Sequence, residues 1–185
     1  MLHVTDCLPR GSFVYDPIYA ERGKHVHLAC HLADSTGLDW NTVFPPWRGW
    51  VEAWEKFKAE SGADILASEQ PVESEAHGYC GTLDKVARMG RRIYVLDIKT
   101  GAPPVTIGLQ TASYLAAYDG KLKSKSTGSA VIHLKEDGSY TFTAEDTPGQ
   151  KLFHPTDFRV FLACLTVKQW EMQHGLWSPQ NREEE

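Results

Sequence analysis

The residues with the clearest chemical potential lie mid-chain, where Gly81-Thr82-Leu83-Asp84 is followed by Leu96-Asp97-Ile98-Lys99-Thr100-Gly101. Both aspartates stand in strand-like runs, and Asp97 interrupts an apolar stretch where a charge has no capping or turn role. Two carboxylates brought face to face repel unless a cation lies between them. Oxygen donors of this kind suit Mg²⁺ or Mn²⁺, which keeps several waters and completes its shell with substrate phosphate. The constellation can therefore hold a divalent metal against a phosphate.

Strands must present these groups. Residues 79–88 and 92–98 read as strands joined at Met89-Gly90-Arg91, and a glycine first in a two-residue loop suits a II′ hairpin turn. Such a turn pairs Met89 with Arg92. Counting outward, Asp84 falls opposite Asp97, with Cβ atoms roughly 4.5–5.5 Å apart. Lys99 shares that face because strand side chains alternate.

The remaining elements form a scaffold. Asp16 to Asp34 reads as a helix, and Pro45 to Ser61 as another, ended by Gly62. In the second, Trp47, Trp50, Val51, Trp54 and Phe57 follow helical spacing. That stripe reads as core, since the helical period already explains it without a stacking platform for single-stranded bases. Strands follow near 64–72, 79–88 and 92–99, then a helix at 105–118, then strands near 129–135 and 139–144 around Glu136-Asp137-Gly138. A last helix, capped by Thr156 or Asp157 and stopped near Gly175, carries Phe158, Phe161, Leu162, Leu165 and Met172. The order predicts an α/β fold in one domain over 1–185, with its core at about 16–176 and a disordered tail at 177–185.

Asp84, twelve intervening residues, then Asp97-Ile98-Lys99 resembles the PD-(D/E)XK nuclease superfamily. Downstream, Gly108-Leu109-Gln110-Thr111-Ala112-Ser113-Tyr114 resembles the Q-x-x-x-Y signature of the RecB-like exonuclease branch. Upstream, Arg22-Gly23-Lys24-His25-Val26-His27 resembles its R-G-x-x-x-H element. The elements stand in family order. The resemblance implies a restriction-endonuclease-like core, a central mixed sheet flanked by helices. It also implies metal ligation by His27, Asp84, Asp97 and the main-chain carbonyl of Ile98, with Lys99 beside the attacking water. Gln110 and Tyr114 would position the DNA backbone, and Glu69, on the strand entering the site, is a further candidate. The implied activity is Mg²⁺- or Mn²⁺-dependent phosphodiester hydrolysis, as an exonuclease on DNA ends in recombination, repair or replication. The small size resembles stand-alone phage or prophage versions. Iron-sulfur relatives carry three close cysteines after the core; only Cys164 follows Lys99, so no cluster is expected.

Composition accommodates this reading. The chain has 185 residues, 42% hydrophobic and 23% charged, enough for a sizeable core. No run approaches a membrane span, and Met-Leu-His-Val-Thr-Asp lacks signal-peptide features, so a cytoplasmic protein is expected. Cys7, Cys30, Cys80 and Cys164 are dispersed, as suits reduced thiols. A net charge of -5 disfavours indiscriminate duplex binding. Local basic clusters, Lys85, Arg88, Arg91 and Arg92 at the hairpin tip and Lys121, Lys123 and Lys125 in a loop, could track DNA or be solvated surface. Two competing readings stay open. One is a binding module of the same fold without catalysis, in a recombination or packaging complex. The other is an interaction domain with zinc held by His25, His27, Cys30 and His31.

Overall fold

The computed structural model describes residues 1–9, 16–122 and 126–178. The side chains of the expected basic loop at Lys121, Lys123 and Lys125, and the tail from Asn181, lie outside the described residues. In chain order the elements are β1 (Leu2–His3), α1 (Val4–Cys7), α2 (Pro17–Ser35), α3 (Arg48–Ser61), β2 (Asp64–Ser74), β3 (Tyr79–Met89) and β4 (Arg92–Lys99). There follow α4 (Ile107–Leu122), β5 (Thr127–Leu134), β6 (Tyr140–Ala144) and α5 (Asp157–Gln173).

The hairpin forms as the glycine requires. Met89 pairs with Arg92, and Gly90 takes φ +60° while Arg91 does not enter the positive-φ region, the II′ pattern. The six-stranded sheet runs β1-β3-β4-β5-β6, with β2 paired to the other edge of β3. Pairing is antiparallel for β2–β3, β3–β4 and β5–β6, and parallel for β1–β3 and β4–β5, so the sheet is mixed. The parallel β4–β5 pair needs a crossover, which α4 supplies.

Helices cover both faces, which is why β4 reads as an almost unbroken apolar run. On one face Val26, Ala29 and Cys30 of α2 and Trp50, Val51, Trp54 and Phe57 of α3 pack on Ala87, Tyr94, Leu96, Ile98 and Ile132. On the other, Val4, Leu109, Tyr114, Phe161 and Leu165 pack on Leu83, Val86 and Val95. Trp54 and Phe57 are fully enclosed, so the aromatic row is core; each such side chain stabilises by about 2–3 kcal/mol.

Several element ends differ from expectation by a few residues, α3 and α4 the most. α3 begins at Arg48, after a separate 3-10 turn at Pro45–Trp47 that the expected helix includes. Its C-cap, Gly62, is left-handed at φ +63°, as anticipated. At α5, Thr156 occupies the N-cap position but makes no side-chain cap bond. Its hydroxyl meets His154 Nδ1 at 3.0 Å, and Asp157 Oδ2 accepts the His154 N–H at 2.7 Å, so both polar groups fold back on the preceding loop. β1 and α1 were not expected, being too short to show a period. Among the described residues, no helix is long and apolar enough to cross a membrane.

Candidate functional site

A break in the sheet creates the site. β2 lines one edge of β3 from Ser74 to Asp64, while the opposite edge is shared by β1 at Tyr79–Cys80 and β4 at Lys85–Met89. Gly81 to Asp84 therefore has no paired strand on that edge. A regular ladder would next bond the Ile98 N–H to Leu83. Instead Asp84 Oδ2 accepts that N–H at 2.7 Å, so the carboxylate occupies the gap between the parting strands. The expected register is observed as far as Lys85 with Leu96, one position short of the aspartate pair.

Other elements converge there. His27 of α2 places Nε2 2.9 Å from the Ile98 carbonyl oxygen. Its Nδ1 lies 3.5 Å from Asp84 Oδ1 and 4.0 Å from Glu69 Oε1. Glu69, on β2, adopts φ +49°, the one non-glycine residue with positive φ among those described. It sits between Ser68, paired with Lys85, and Gln70, paired with Leu83, and so stands across from Asp84. Ligand atoms of His27, Glu69 and Asp84 all lie within 4.8 Å of one another, making one metal-capable group. The sequence signalled Glu69 only weakly; its left-handed backbone brings it into the group.

Asp97 and Lys99 adjoin this group. Lys99 Nζ is 2.6 Å from Asp97 Oδ2. Asp97 is 2% exposed, and neither of its oxygens receives a hydrogen bond of good angle, so the carboxylate is held by the ion pair alone. Burial, with the Asp84 charge nearby and Lys99 opposing, pushes Asp97 up to about 6. Burial would also raise Asp84, but His27, Lys99 and the Ile98 N–H together hold it below the usual carboxylate range. His27 is desolvated, which lowers its basicity, yet Asp84 and Asp97 outweigh this and raise it. Burial and the Asp84 charge raise Glu69. The two neighbouring carboxylates are thus shifted in opposite directions, Asp97 mainly by burial and Asp84 by its cationic neighbours and backbone hydrogen bond.

The grouped donors suit a hard divalent cation: the carboxylates of Glu69 and Asp84 on two strands and one imidazole; the Asp97 carboxylate, whose buried oxygens lack hydrogen bonds, lies outside that group. The Ile98 carbonyl faces His27 Nε2 and would have to exchange that contact to act as a ligand.

The same three elements are tied beneath the site. Lys85 is fully buried, and Nζ donates to Cys30 O at 3.1 Å on α2, to Ser68 Oγ at 2.6 Å on β2, and to Asp34 Oδ2 at 2.6 Å. His27 lies one turn before Cys30, Glu69 follows Ser68, and Asp84 precedes Lys85. This corrects the expected basic patch. Strand alternation turns Lys85 inward under Trp54, where Asp34 neutralises it. Arg88 pairs with Asp64 at 3.4 Å, and Arg92 with Glu145 and Asp146 at 2.8 Å each. The hairpin tip is thus largely charge-compensated. No sequence pattern marks Lys85 as buried, because its partner Asp34 is remote in the chain.

Gln110 and Tyr114 stand one turn apart on α4, with Gln110 Nε2 3.5 Å from the Tyr114 hydroxyl. Tyr114 is buried; its ring lies so close to Gly81 that a Cβ there would come within 2.7 Å of Cε1. Burial raises its hydroxyl pKa, and Asp97, Asp84 and Glu69 add to the rise, which places that hydroxyl within the field of the acidic group. The histidines of the zinc alternative separate. His25 packs on Trp47 at 4.9 Å, His31 Nδ1 meets Ser68 Oγ at 2.7 Å, and Cys30 is enclosed in the core.

Beside Lys99 and His27 opens a cleft of about 780 Å³ between the start of α2 and the chain leaving β4.

No protein-family model matches the chain, and no curated protein matches it. It is similar to a solved structure, the crystal structure of SSO0001, with a TM-score of 0.42 and 12% identity over 91% of this chain and 75% of that one. A likeness of that size assigns neither family nor activity.

Proposed function

We propose that this chain is a divalent-metal-dependent deoxyribonuclease with a PD-(D/E)XK core of the RecB-like kind, a cytoplasmic exonuclease acting in recombination, repair or replication. One observation carries the reading: His27, Glu69 and Asp84 gather at the break in the sheet, within electrostatic reach of the buried Asp97 and its ion-paired Lys99. An acidic group alone would be weak support. A lysine fixed on the second aspartate adds the cation that phosphoryl chemistry uses.

Asp84 and Asp97 would hold Mg²⁺ or Mn²⁺ with His27, and Glu69 lies in reach. When bound, the cation supplies Lewis acidity toward a phosphoryl oxygen and favours ionisation of water. Lys99 keeps its charge, since Asp97 and Asp84 more than offset its desolvation. Its ammonium can donate to the entering water or to a phosphoryl oxygen as negative charge grows there. The water oxygen bonds to phosphorus as the ester P–O bond breaks, giving a phosphate and a hydroxyl end. Gln110, 3.5 Å from the Tyr114 hydroxyl on α4, would position the DNA backbone in this reading.

A second reading, a DNA-binding module without turnover, draws on a specific feature. Lys99 is locked to Asp97, and the Ile98 carbonyl to His27, in the state described. Incubation with linear and covalently closed circular DNA, single and double stranded, in Mg²⁺, Mn²⁺ or EDTA separates the two. The nuclease reading expects metal-dependent loss of linear DNA. Metal binding with no cleavage under any condition supports the module instead.

A further inference from the structure

We infer that the cleft beside Lys99 binds one unpaired nucleobase, stacked on Tyr19; that this base adjoins the cleaved phosphate rests on the nuclease reading. Tyr19 lies on the cleft wall, and 52% of it is exposed. Behind it the Arg22 guanidinium sits 5.0 Å from the Tyr19 ring centroid and 4.6 Å from that of Trp50. Arg22 Nη2 and Trp50 Nε1 both donate to the Thr100 carbonyl, each at 3.1 Å. The result is an aromatic–guanidinium–aromatic stack pinned at its inner end to the chain leaving β4. A ring anchored in this way accepts a base with little ordering cost.

The lining distinguishes a base from a phosphate. Of the two cations at the cleft, Arg22 is hydrogen-bonded to Thr100 and Lys99 sits on Asp97 at the end that meets the acidic group, so among the described residues no row of cations follows a backbone through the cleft. Ala20, Ala102 and Pro104 give the rest an apolar character. The volume, about 780 Å³, suits one nucleotide. A base still paired and stacked in a duplex cannot enter. The cleft therefore selects single-stranded or frayed DNA.

The test is equilibrium binding in EDTA, where no cleavage occurs. The probes are single-stranded decamers carrying 2-aminopurine at successive positions from one end, and the same sequence as a blunt duplex. Wild type and Tyr19→Phe should quench 2-aminopurine at one position and bind the single strand more tightly than the duplex. Tyr19→Ala should lose the quench and weaken single-strand binding about tenfold. A decamer abasic at the quenched position should bind wild type and Tyr19→Ala alike, because the partner of Tyr19 is then missing. Equal binding of the intact decamer by wild type and Tyr19→Ala, or no binding of single strands by wild type, overturns the inference. Tyr19 is half exposed, so a thermal melt matching wild type separates its loss from misfolding. Tyr19-dependent quenching by a protein that cleaves nothing with any metal supports the cleft while removing the nuclease reading. Metal-dependent cleavage without any Tyr19 dependence does the reverse.

Discussion

Asp84 accepts the Ile98 backbone N–H through Oδ2 at 2.7 Å, so one carboxylate closes the β4 ladder and also faces the metal-capable group. Asp97, its neighbour across the gap, is buried and held by the Lys99 ion pair alone. The two aspartates therefore contribute to stability with opposite sign. In EDTA, Asp84→Ala leaves a backbone donor unpaired and should cost about 1–3 kcal/mol in urea unfolding. Asp97→Asn removes an under-solvated charge and should match or exceed wild-type stability. Equal destabilisation by both substitutions would contradict this division of roles.

The Asp97 effect carries a pH signature. Its pKa is about 6 in the folded protein against an ordinary 3.8, so between those values the folded state holds a proton that the unfolded chain has released. Stability from this group is present below pH 4 and is lost as pH rises to about 6. In EDTA, the unfolding free energy of wild type minus that of Asp97→Asn should fall by on the order of 2 kcal/mol across this window. Taking the difference cancels most of the opposite contribution of Asp84, whose lowered pKa adds stability that is lost as pH falls below its usual range. A difference that rises with pH would contradict the burial argument. Adding Mn²⁺ at pH 7 should recover the lost stability in wild type alone.

Lys85 links α2, β2 and β3 directly under the three residues that gather above it. Lys85→Met should cost about 3–5 kcal/mol, the usual consequence of breaking a buried pair from one side. In the molecules that remain folded, Mn²⁺ affinity should drop at least tenfold, as expected when supports of a ligand set are removed. Calorimetric titration with Mn²⁺ reads this directly, and unchanged affinity would show that the ligand set stands without the tie.

Glu69 holds φ +49°, a conformation that glycine adopts more easily. Glu69→Gly should keep or raise the melting temperature, by about 0.5–1 kcal/mol of relieved strain, while weakening Mn²⁺ binding. A loss of stability comparable to a core substitution would mean that the carboxylate serves the fold and not the site.

Much of this could be read from the chain because it depends on local rules. Gly90 fixed the hairpin turn, and the turn fixed the register that carries Asp84 toward Asp97. The helical period of Trp50, Val51, Trp54 and Phe57 gave the core face of α3. What escaped depends on long-range placement. The burial of Lys85 needs Asp34 on another element, and the entry of Glu69 needs an irregular backbone that no residue type announces. Pairing of β1 with the start of β3 involves only two residues and leaves no pattern. Likewise, Arg92 reads as free charge until β6 ends beside it with Glu145 and Asp146.

The most direct measurement compares wild type with Lys99→Met, following cleavage of end-labelled linear DNA in Mn²⁺ alongside Mn²⁺ affinity by calorimetry. Lys99 is placed here as the group that meets developing charge, not as a ligand. The variant should therefore bind Mn²⁺ within a few-fold of wild type and cleave at least 100-fold more slowly. Cleavage that persists in EDTA, or that survives the loss of Lys99, would contradict the account.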